Sequence, residues 1–122
     1  MNVPSFRDPI AWQRAMDLTV KCNKVSRLFP GEERFALTSQ LHRAAVSVPA
    51  NIAEGKGRGF NRAYVNHLSI ANGSVCELDT HLEVALRLNY VKPAGLEPIH
   101  QQIDDVGRLS TALRKSVEST IR

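Results

Sequence analysis

A glycine-rich stretch with two cations is the part of the sequence closest to a phosphate-binding site. Residues 54–60 read EGKGRGF. A P-loop requires GxxxxGK and then Ser or Thr after a strand, so that its amides wrap the phosphate. Here Gly57 follows Lys56, and the hydrophobic pattern before Gly55 is helical. The dinucleotide fingerprint GxGxxG also fails, because its third glycine would fall at Phe60. The stretch therefore predicts a turn between helices.

The glycines of this turn have a structural interpretation. We predict that Gly55 adopts the left-handed conformation that ends a helix. Gly57 and Gly59 then let the chain reverse before the next helix. The cations around the turn either form a solvated cluster that complements the helix dipole or contact the phosphates of a nucleic acid. These cations are Lys56, Arg58 and Arg62.

The other residue types that carry chemistry form no recognisable motif. A di-metal site in a helix bundle needs two Glu-x-x-His pairs and two further Glu, and only Glu97 and His100 have this spacing. His67 and His81 are two heptads apart, too far for one metal ion. There is no GxSxG motif, and we expect both cysteines to be buried free thiols. We therefore predict no catalytic, cofactor-binding or metal-binding residue and a protein that is not an enzyme.

Four amphipathic segments must position these residues. Apolar side chains recur at steps of three and four residues, as at Leu18, Cys22 and Val25, which is the period of a helix. The predicted helices are about 8–29, 35–55, 60–89 and 95–121, in a single domain of residues 1–122. Short connections between four helices predict an all-α fold, an antiparallel up-down-up-down four-helix bundle.

Pro49 lies in the middle of the second predicted helix. It lacks an amide proton and its ring presses on the carbonyl of Ala45, so we expect a kink that packing must offset. Polar residues line one side of this helix and of the next. The two stripes either face each other or a neighbouring subunit, with Arg43 paired to Glu54 or Glu77, or form a half-exposed flank. The predicted stripe contains Gln40, Arg43, Ser47, Pro49, Asn51, Glu54, Gly73 and Glu77.

The charge is unevenly distributed along the chain. The formal net charge is +4 and the pI is about 9.4. Residues 1–62 have a balance of +5, from ten Lys and Arg against five Asp and Glu, and residues 63–122 have a balance of −1. This predicts either a solvated surface or contact with nucleic acid. The candidate nucleic-acid-binding residues are Lys21, Lys24, Arg27, Lys56, Arg58, Arg62, Arg108, Lys115 and Arg122.

No aromatic residues are interleaved with these cations in a way that indicates base stacking. We therefore expect contact with the backbone of RNA or DNA that tolerates any sequence. No run of about 18 apolar residues is present, which predicts no membrane partner. The charged start of the sequence does not match a signal peptide, so we expect a cytoplasmic protein.

The central motif is similar to the signature of a known family. It reads Gln40-x-x-Arg43-Ala44-x-x-Ser47-x-Pro49-x-Asn51-Ile52-Ala53-Glu54-Gly55-x-x-Arg58. This resembles a family of bacterial four-helix-bundle proteins first noted in intervening sequences of large-subunit ribosomal RNA genes. The stretches around Trp12 and around Gly73 agree, so the resemblance covers about residues 6–90. His42 departs from it, where the family often has Arg, and so does His67, where an aromatic residue is usual.

The resemblance implies a left-handed bundle that assembles into a ring, a homopentamer. It also implies a fold like that of the accessory protein of diversity-generating retroelements, which binds nucleic acid and a reverse transcriptase. We therefore predict a non-enzymatic oligomer without cofactors that binds itself and, through a basic surface, RNA or DNA. The alternative is an oligomeric scaffold that binds a protein partner and no nucleic acid.

Overall fold

A computed structural model describes residues 5–121 of the chain, and this part contains four α-helices and no strand. Two short 3-10 turns, Ser26–Leu28 and Gly31–Glu33, connect the first helix to the second. The all-α bundle predicted from the hydrophobic period is therefore confirmed. The helices are α1 Ile10–Val25, α2 Leu37–Gly57, α3 Asn61–Arg87 and α4 Pro93–Glu118.

Neighbouring helices are antiparallel, as the residues that meet across each interface show. Between α1 and α2, the side chain of Thr19 reaches Ala45, and that of Ser26 reaches His42, so residue numbers rise on one helix and fall on the other. Hydrogen bonds between α2 and α3 and between α3 and α4 follow the same order. Since α4 also packs against α1, the four helices close an up-down-up-down bundle.

The core is one mainly aliphatic cluster to which every helix contributes. Its members recur at three- and four-residue steps, which places them on one face of each helix. Burial of one large aliphatic side chain stabilises the fold by about 1.5–3 kcal/mol. This cluster therefore holds the four helices together. Its fully buried large members include Leu18, Leu41, Ile52, Leu68, Leu78, Leu82, Leu96 and Ile99.

The helices end at slightly different residues from those predicted. α1 ends at Val25, because the chain then tightens into a 3-10 turn in which the Ser26 hydroxyl lies 2.7 Å from both the Asn23 carbonyl oxygen and Nε2 of His42. α2 continues to Gly57. α4 begins at Pro93, because proline suits the first position of a helix, where an amide proton has no helical partner.

Pro49 is buried inside α2, and the helix continues through it. Since proline has no amide proton, the carbonyl oxygen of Ala45 loses its usual donor within the helix. Thr19 of α1 supplies a donor in its place, because its hydroxyl lies 3.0 Å from the Ala45 oxygen and shares its one proton between this oxygen and the Ala15 oxygen of its own helix at 2.8 Å. The neighbouring helix thus satisfies a carbonyl group that Pro49 leaves without a partner.

Two further expectations concern the cysteines and the membrane. Cys22 is buried in the core, and desolvation raises the pKa of its thiol to about 12. Cys76 is exposed on α3, so the expectation that both thiols are buried is wrong. It lies on the face of α3 turned away from the core, between the buried residues Val75 and Leu78.

Within residues 5–121, no helix has the length and apolar character needed to cross a membrane.

The bond between Thr19 and Ala45 gives a testable prediction for stability. Thr19→Val keeps the shape of the side chain but removes the donor. We expect the free energy of unfolding, measured by urea denaturation, to fall by about 1–2 kcal/mol, because the Ala45 carbonyl is then left without a partner. Pro49→Ala returns an amide donor to this carbonyl, so Thr19→Val should cost much less in that background. Equal costs in the two backgrounds would contradict the assignment.

Candidate functional site

The predicted nucleic-acid-binding cations lie in different parts of the bundle. We call the end where α2 joins α3, around residues 55–62, the glycine-turn end. Lys56, Arg58 and Arg62 lie there, whereas Lys24 and Arg27 lie at the opposite end, where α1 joins α2. A helix rises 1.5 Å per residue, so the 21 residues of α2 separate the two ends by about 30 Å. The structure therefore places these five residues at two separate ends of the bundle.

The remaining four cations divide in a similar way. Lys21 is exposed one turn before the end of α1. Arg108 is exposed near the middle of α4 and pairs with Asp105. Lys115 is exposed in the last turn of α4, which reaches the glycine-turn end. Arg122 lies outside the described residues. The structure thus brings Lys115 to the same end as the three cations of the turn.

Gly55 does not end α2, and this part of the prediction is wrong. The helix runs through Gly55 to Gly57, and the left-handed residue is Gly59, with φ of +82°. Gly55 is needed for another reason. A Cβ atom at this position would lie 2.7 Å from Cβ of His67 and 3.1 Å from the ring of Tyr64. The absence of a side chain therefore allows α3 to approach α2 closely just before the turn.

The three cations of the turn have different surroundings. Arg58 Nη2 lies 2.7 Å from Oε1 of Glu54, and this hydrogen bond holds the pKa of the Glu54 carboxyl below its usual range. Lys56 is half-buried, with Nζ 5.8 Å from the ring centroid of Tyr64. Arg62 is exposed at the start of α3. Neither Lys56 nor Arg62 has an acidic partner within 4.0 Å among residues 5–121, so both can attract an anion.

A pocket of about 570 Å³ opens at the glycine-turn end. Its wall combines the segment before α1, the turn itself, the first turn of α3 and the end of α4. Asn61 Nδ2 donates to Thr120 Oγ1 at 2.6 Å and so joins the start of α3 to the end of α4. The lining residues that matter below are Asp8, Lys56, Phe60, Tyr64, Leu113 and Val117.

Aromatic side chains contribute to this pocket, which the sequence did not indicate. Phe60 directly precedes α3 and remains 62% exposed, so it does not belong to the core. It lies two residues from each of Arg58 and Arg62 in the chain. Tyr64 is buried, its hydroxyl has no hydrogen-bond partner in the described part of the chain, and desolvation raises its pKa. Phe60 is therefore an exposed aromatic residue that lies between two of the candidate cations in the chain.

A chain of hydrogen bonds joins part of the predicted polar stripe of α2 to α3. Ser74 Oγ donates to Ser47 Oγ at 2.8 Å. Asn51 Nδ2 donates to the carbonyl oxygen and the hydroxyl of Ser47 at 2.8 and 3.0 Å. Oδ1 of Asn51 lies 3.0 Å from Nδ1 of His67, which must carry the proton because Oδ1 can only accept. Ser47 and Asn51 thus lie at the interface between the two helices.

The other members of the stripe lie outside this chain of bonds. Gln40, Arg43 and Glu77 line a shallow depression between α2 and α3. The predicted pairing of Arg43 with Glu54 or Glu77 is wrong, because neither carboxylate lies within 4.0 Å of the Arg43 guanidinium. Glu54 pairs with Arg58, and Glu77 lies 3.5 Å from Nε2 of His81.

The last two members of the predicted stripe, Gly73 and Pro49, have no polar side chain that could take part in such bonds. Gly73 is exposed on α3 with open space around it, and Pro49 is buried.

Within residues 5–121, no group of three or more His, Cys, Asp or Glu side chains is placed to hold a metal ion.

These features define a class of protein, an antiparallel four-helix bundle with a hydrogen-bonded α2–α3 interface that ends in a cationic turn. The model of the 23S rRNA-intervening sequence protein family matches residues 7–112, and the chain belongs to this family. The resemblance noted in the sequence is therefore confirmed. The match includes the α2–α3 interface and the turn but stops before the last residues of α4.

A solved structure has a fold similar to that of this chain. A protein of unknown function from the S23 ribosomal protein family of Bacteroides thetaiotaomicron is similar in structure, with a TM-score of 0.80 and 23% identity. The match covers 89% of this chain and 98% of that chain. At this identity the likeness shows the fold alone. No curated protein matches the sequence.

The close contact at Gly55 predicts a difference between two glycines of one helix. Gly55→Ala should lower the free energy of unfolding by about 1–3 kcal/mol, because the added methyl group overlaps His67 and Tyr64. Gly57→Ala adds the same methyl group where nothing lies within 4 Å, and it should be neutral or stabilising by up to about 1 kcal/mol. Urea denaturation measures both. Equal effects would show that Gly55 has no special packing role.

Proposed function

We propose that the protein is a non-enzymatic, self-assembling bundle that binds the phosphate backbone of RNA or DNA at the glycine-turn end. The observation that supports this most is the group Lys56, Arg58 and Arg62, three cations within seven residues. Among residues 5–121, Arg58 is the one of the three with a carboxylate partner. Lys115 adds a fourth cation at the same end. Cations without a partner are the groups that displace counterions from a nucleic acid.

The shape of the turn also favours an anionic partner. Gly59 in the left-handed conformation and the close contact at Gly55 define a short turn, and the cations lie on this turn. The first turn of α3 begins here without a side-chain cap, and the amino end of a helix carries a partial positive charge. Phosphate contacts of this kind carry no sequence information. Assembly into a ring would repeat the group in every subunit and strengthen the binding.

Charge reversal at two places tests this proposal. Lys56→Glu, Arg58→Glu and Arg62→Glu together should weaken binding of a short RNA in low salt by tenfold or more. The slope of log affinity against log salt should also fall by about 2, since each lost phosphate contact removes about 0.7 for a single strand. Titration by mobility shift across a salt series measures both quantities.

The matched control places the same change of charge at the other end of the bundle. Lys21→Glu, Lys24→Glu and Arg27→Glu together also take the formal net charge from +4 to −2. This variant should bind RNA with nearly the affinity and salt slope of the original protein. Equal losses in the two variants would mean that total charge, and not the glycine turn, governs the binding. An original protein that retains no RNA or DNA at low salt would contradict the proposal.

Exposed apolar residues favour self-assembly as a function in its own right. Val20 and Val46 are 51% and 53% exposed. Each directly follows a residue of the Thr19–Ala45 contact, so the two valines lie at the same level of adjacent helices. Met16 is one turn before Val20 and is also exposed. An apolar area on two neighbouring helices is typical of a protein interface, and the homopentamer that the resemblance implies needs such an area.

Self-assembly through this area gives a further prediction. Val20→Glu with Val46→Glu should reduce the mass in solution towards that of one chain, because assembly would bury the new carboxylates in an apolar contact. Light scattering measures the mass, and circular dichroism checks that the helices remain. Ile70→Glu with Val84→Glu, which changes two exposed apolar residues of α3, should keep the original mass. A single-chain mass for the original protein would contradict self-assembly, and an unchanged mass in the first variant would exclude this surface.

A further inference from the structure

We propose that the pocket at the glycine-turn end holds one unpaired base of a single-stranded nucleic acid, stacked on Phe60, while Lys56 and Arg62 hold the neighbouring phosphates. This inference rests on the proposed function and extends it. Contact with phosphates alone does not distinguish single strands from duplexes. A pocket for a base does, because the bases of a duplex are already paired and stacked.

The position of Phe60 is the first observation behind this inference. The residue is 62% exposed, although burial of a phenylalanine would stabilise the fold. Its backbone is extended, with φ of −139° and ψ of 148°, at the junction between the turn and α3. An exposed aromatic ring on a cationic surface is the combination with which proteins bind single strands of any sequence. Phe60 therefore has the surroundings of a stacking platform.

The pocket beside Phe60 has a suitable size and wall. Its volume of about 570 Å³ falls within the range of about 300–1,000 Å³ that is usual for small-ligand sites. Leu113 and Val117 of α4 and the ring of Tyr64 supply apolar surface against which a flat base can pack. The pocket is therefore large enough for a nucleobase with its sugar.

The charges around the pocket indicate how the strand lies. Lys56 is in the wall. Arg62 is the second residue of α3, two residues after Phe60 and outside the wall itself, where it lines a neighbouring depression with Val65. Asp8 is the acidic residue of the wall and comes from the segment before α1. A phosphate is repelled by Asp8, but the amino and imino groups of a base can donate to a carboxylate. This arrangement favours the phosphates beside the turn and the base towards α1.

The chain contains a second exposed phenylalanine that serves as a matched control. Phe35 is 88% exposed and lies just before α2, at the opposite end of the bundle. The guanidinium of Arg34 lies 5.3 Å from the centroid of its ring and occupies one face. Phe35→Ala removes the same side chain as Phe60→Ala, about 30 Å away along α2. It therefore separates a local effect at the pocket from a general loss of apolar surface.

The test compares three labelled ligands of ten nucleotides by fluorescence anisotropy at one salt concentration. They are a single-stranded RNA, a strand of equal length without bases, and an RNA duplex. The original protein should bind the single strand at least fivefold more tightly than the strand without bases, which corresponds to the lower limit for stacking of one base. It should also prefer the single strand to the duplex. Phe60→Ala should abolish the preference for bases and leave the affinity for the strand without bases unchanged.

Two further variants make the result specific. Phe35→Ala should behave like the original protein, and Phe60→Trp, which keeps an aromatic face, should retain the preference. Equal binding of the single strand and the strand without bases by the original protein would overturn the inference but leave the proposed function standing. An unchanged preference of Phe60→Ala for the strand with bases would also overturn the inference and leave the proposed function standing. Tighter binding of the duplex than of the single strand by the original protein would lead to the same conclusion. Failure of all three ligands to bind would overturn the inference and the proposed function together.

Discussion

The close approach of α2 and α3 at Gly55 is the constraint on which the glycine-turn end depends. With any side chain at this position, Cβ would lie 2.7 Å from Cβ of His67, and one helix would have to move. Because the two helices meet so closely there, the chain must reverse within a few residues, and Gly59 supplies the left-handed conformation that this requires. The cations of the turn therefore lie on a short connection next to the close contact of α2 and α3.

Hydrogen bonds between polar groups constrain the positions of the helices along the rest of their length. Buried hydroxyl and amide groups cost free energy unless they have partners, and Ser47 and Asn51 find theirs on α3 and on each other. Pro49 creates the same problem on the other side of α2, where Thr19 of α1 completes the bonding of Ala45. Any sliding of α2 against α1 or α3 would break such bonds as well as disturb the packing of the core. The bonds therefore fix the register of the helices.

The sequence predicts the helices well, because three- and four-residue spacing of apolar side chains determines which face is buried. It does not distinguish the two uses of a glycine near the end of a helix, so Gly55 was assigned to termination although it serves close packing. It also does not show which carboxylate is nearest to a cation, so Arg43 was paired wrongly while Glu54 binds Arg58. Phenylalanine is usually a core residue, and for this reason the exposure of Phe60 has no signal in the sequence.

The topology of the bundle determines which cations lie close together, and their order in the sequence does not. Lys24 and Lys56 belong to one positive half of the sequence, yet the antiparallel order of α1 and α2 puts them at opposite ends. Conversely, Lys115 is distant in sequence and shares the glycine-turn end with Lys56. Charge along a sequence therefore counts the cations that are present, whereas the packing of the helices decides which of them share a surface.

Hydrogen–deuterium exchange of the original protein, with and without a short single-stranded RNA, tests the location of binding most directly. The account predicts slower exchange of backbone amides in residues 55–64 when the RNA is present, with no change in residues 24–36 at the other end. Slower exchange confined to residues 24–36, or no difference anywhere along the chain at an RNA concentration that saturates binding, would contradict it.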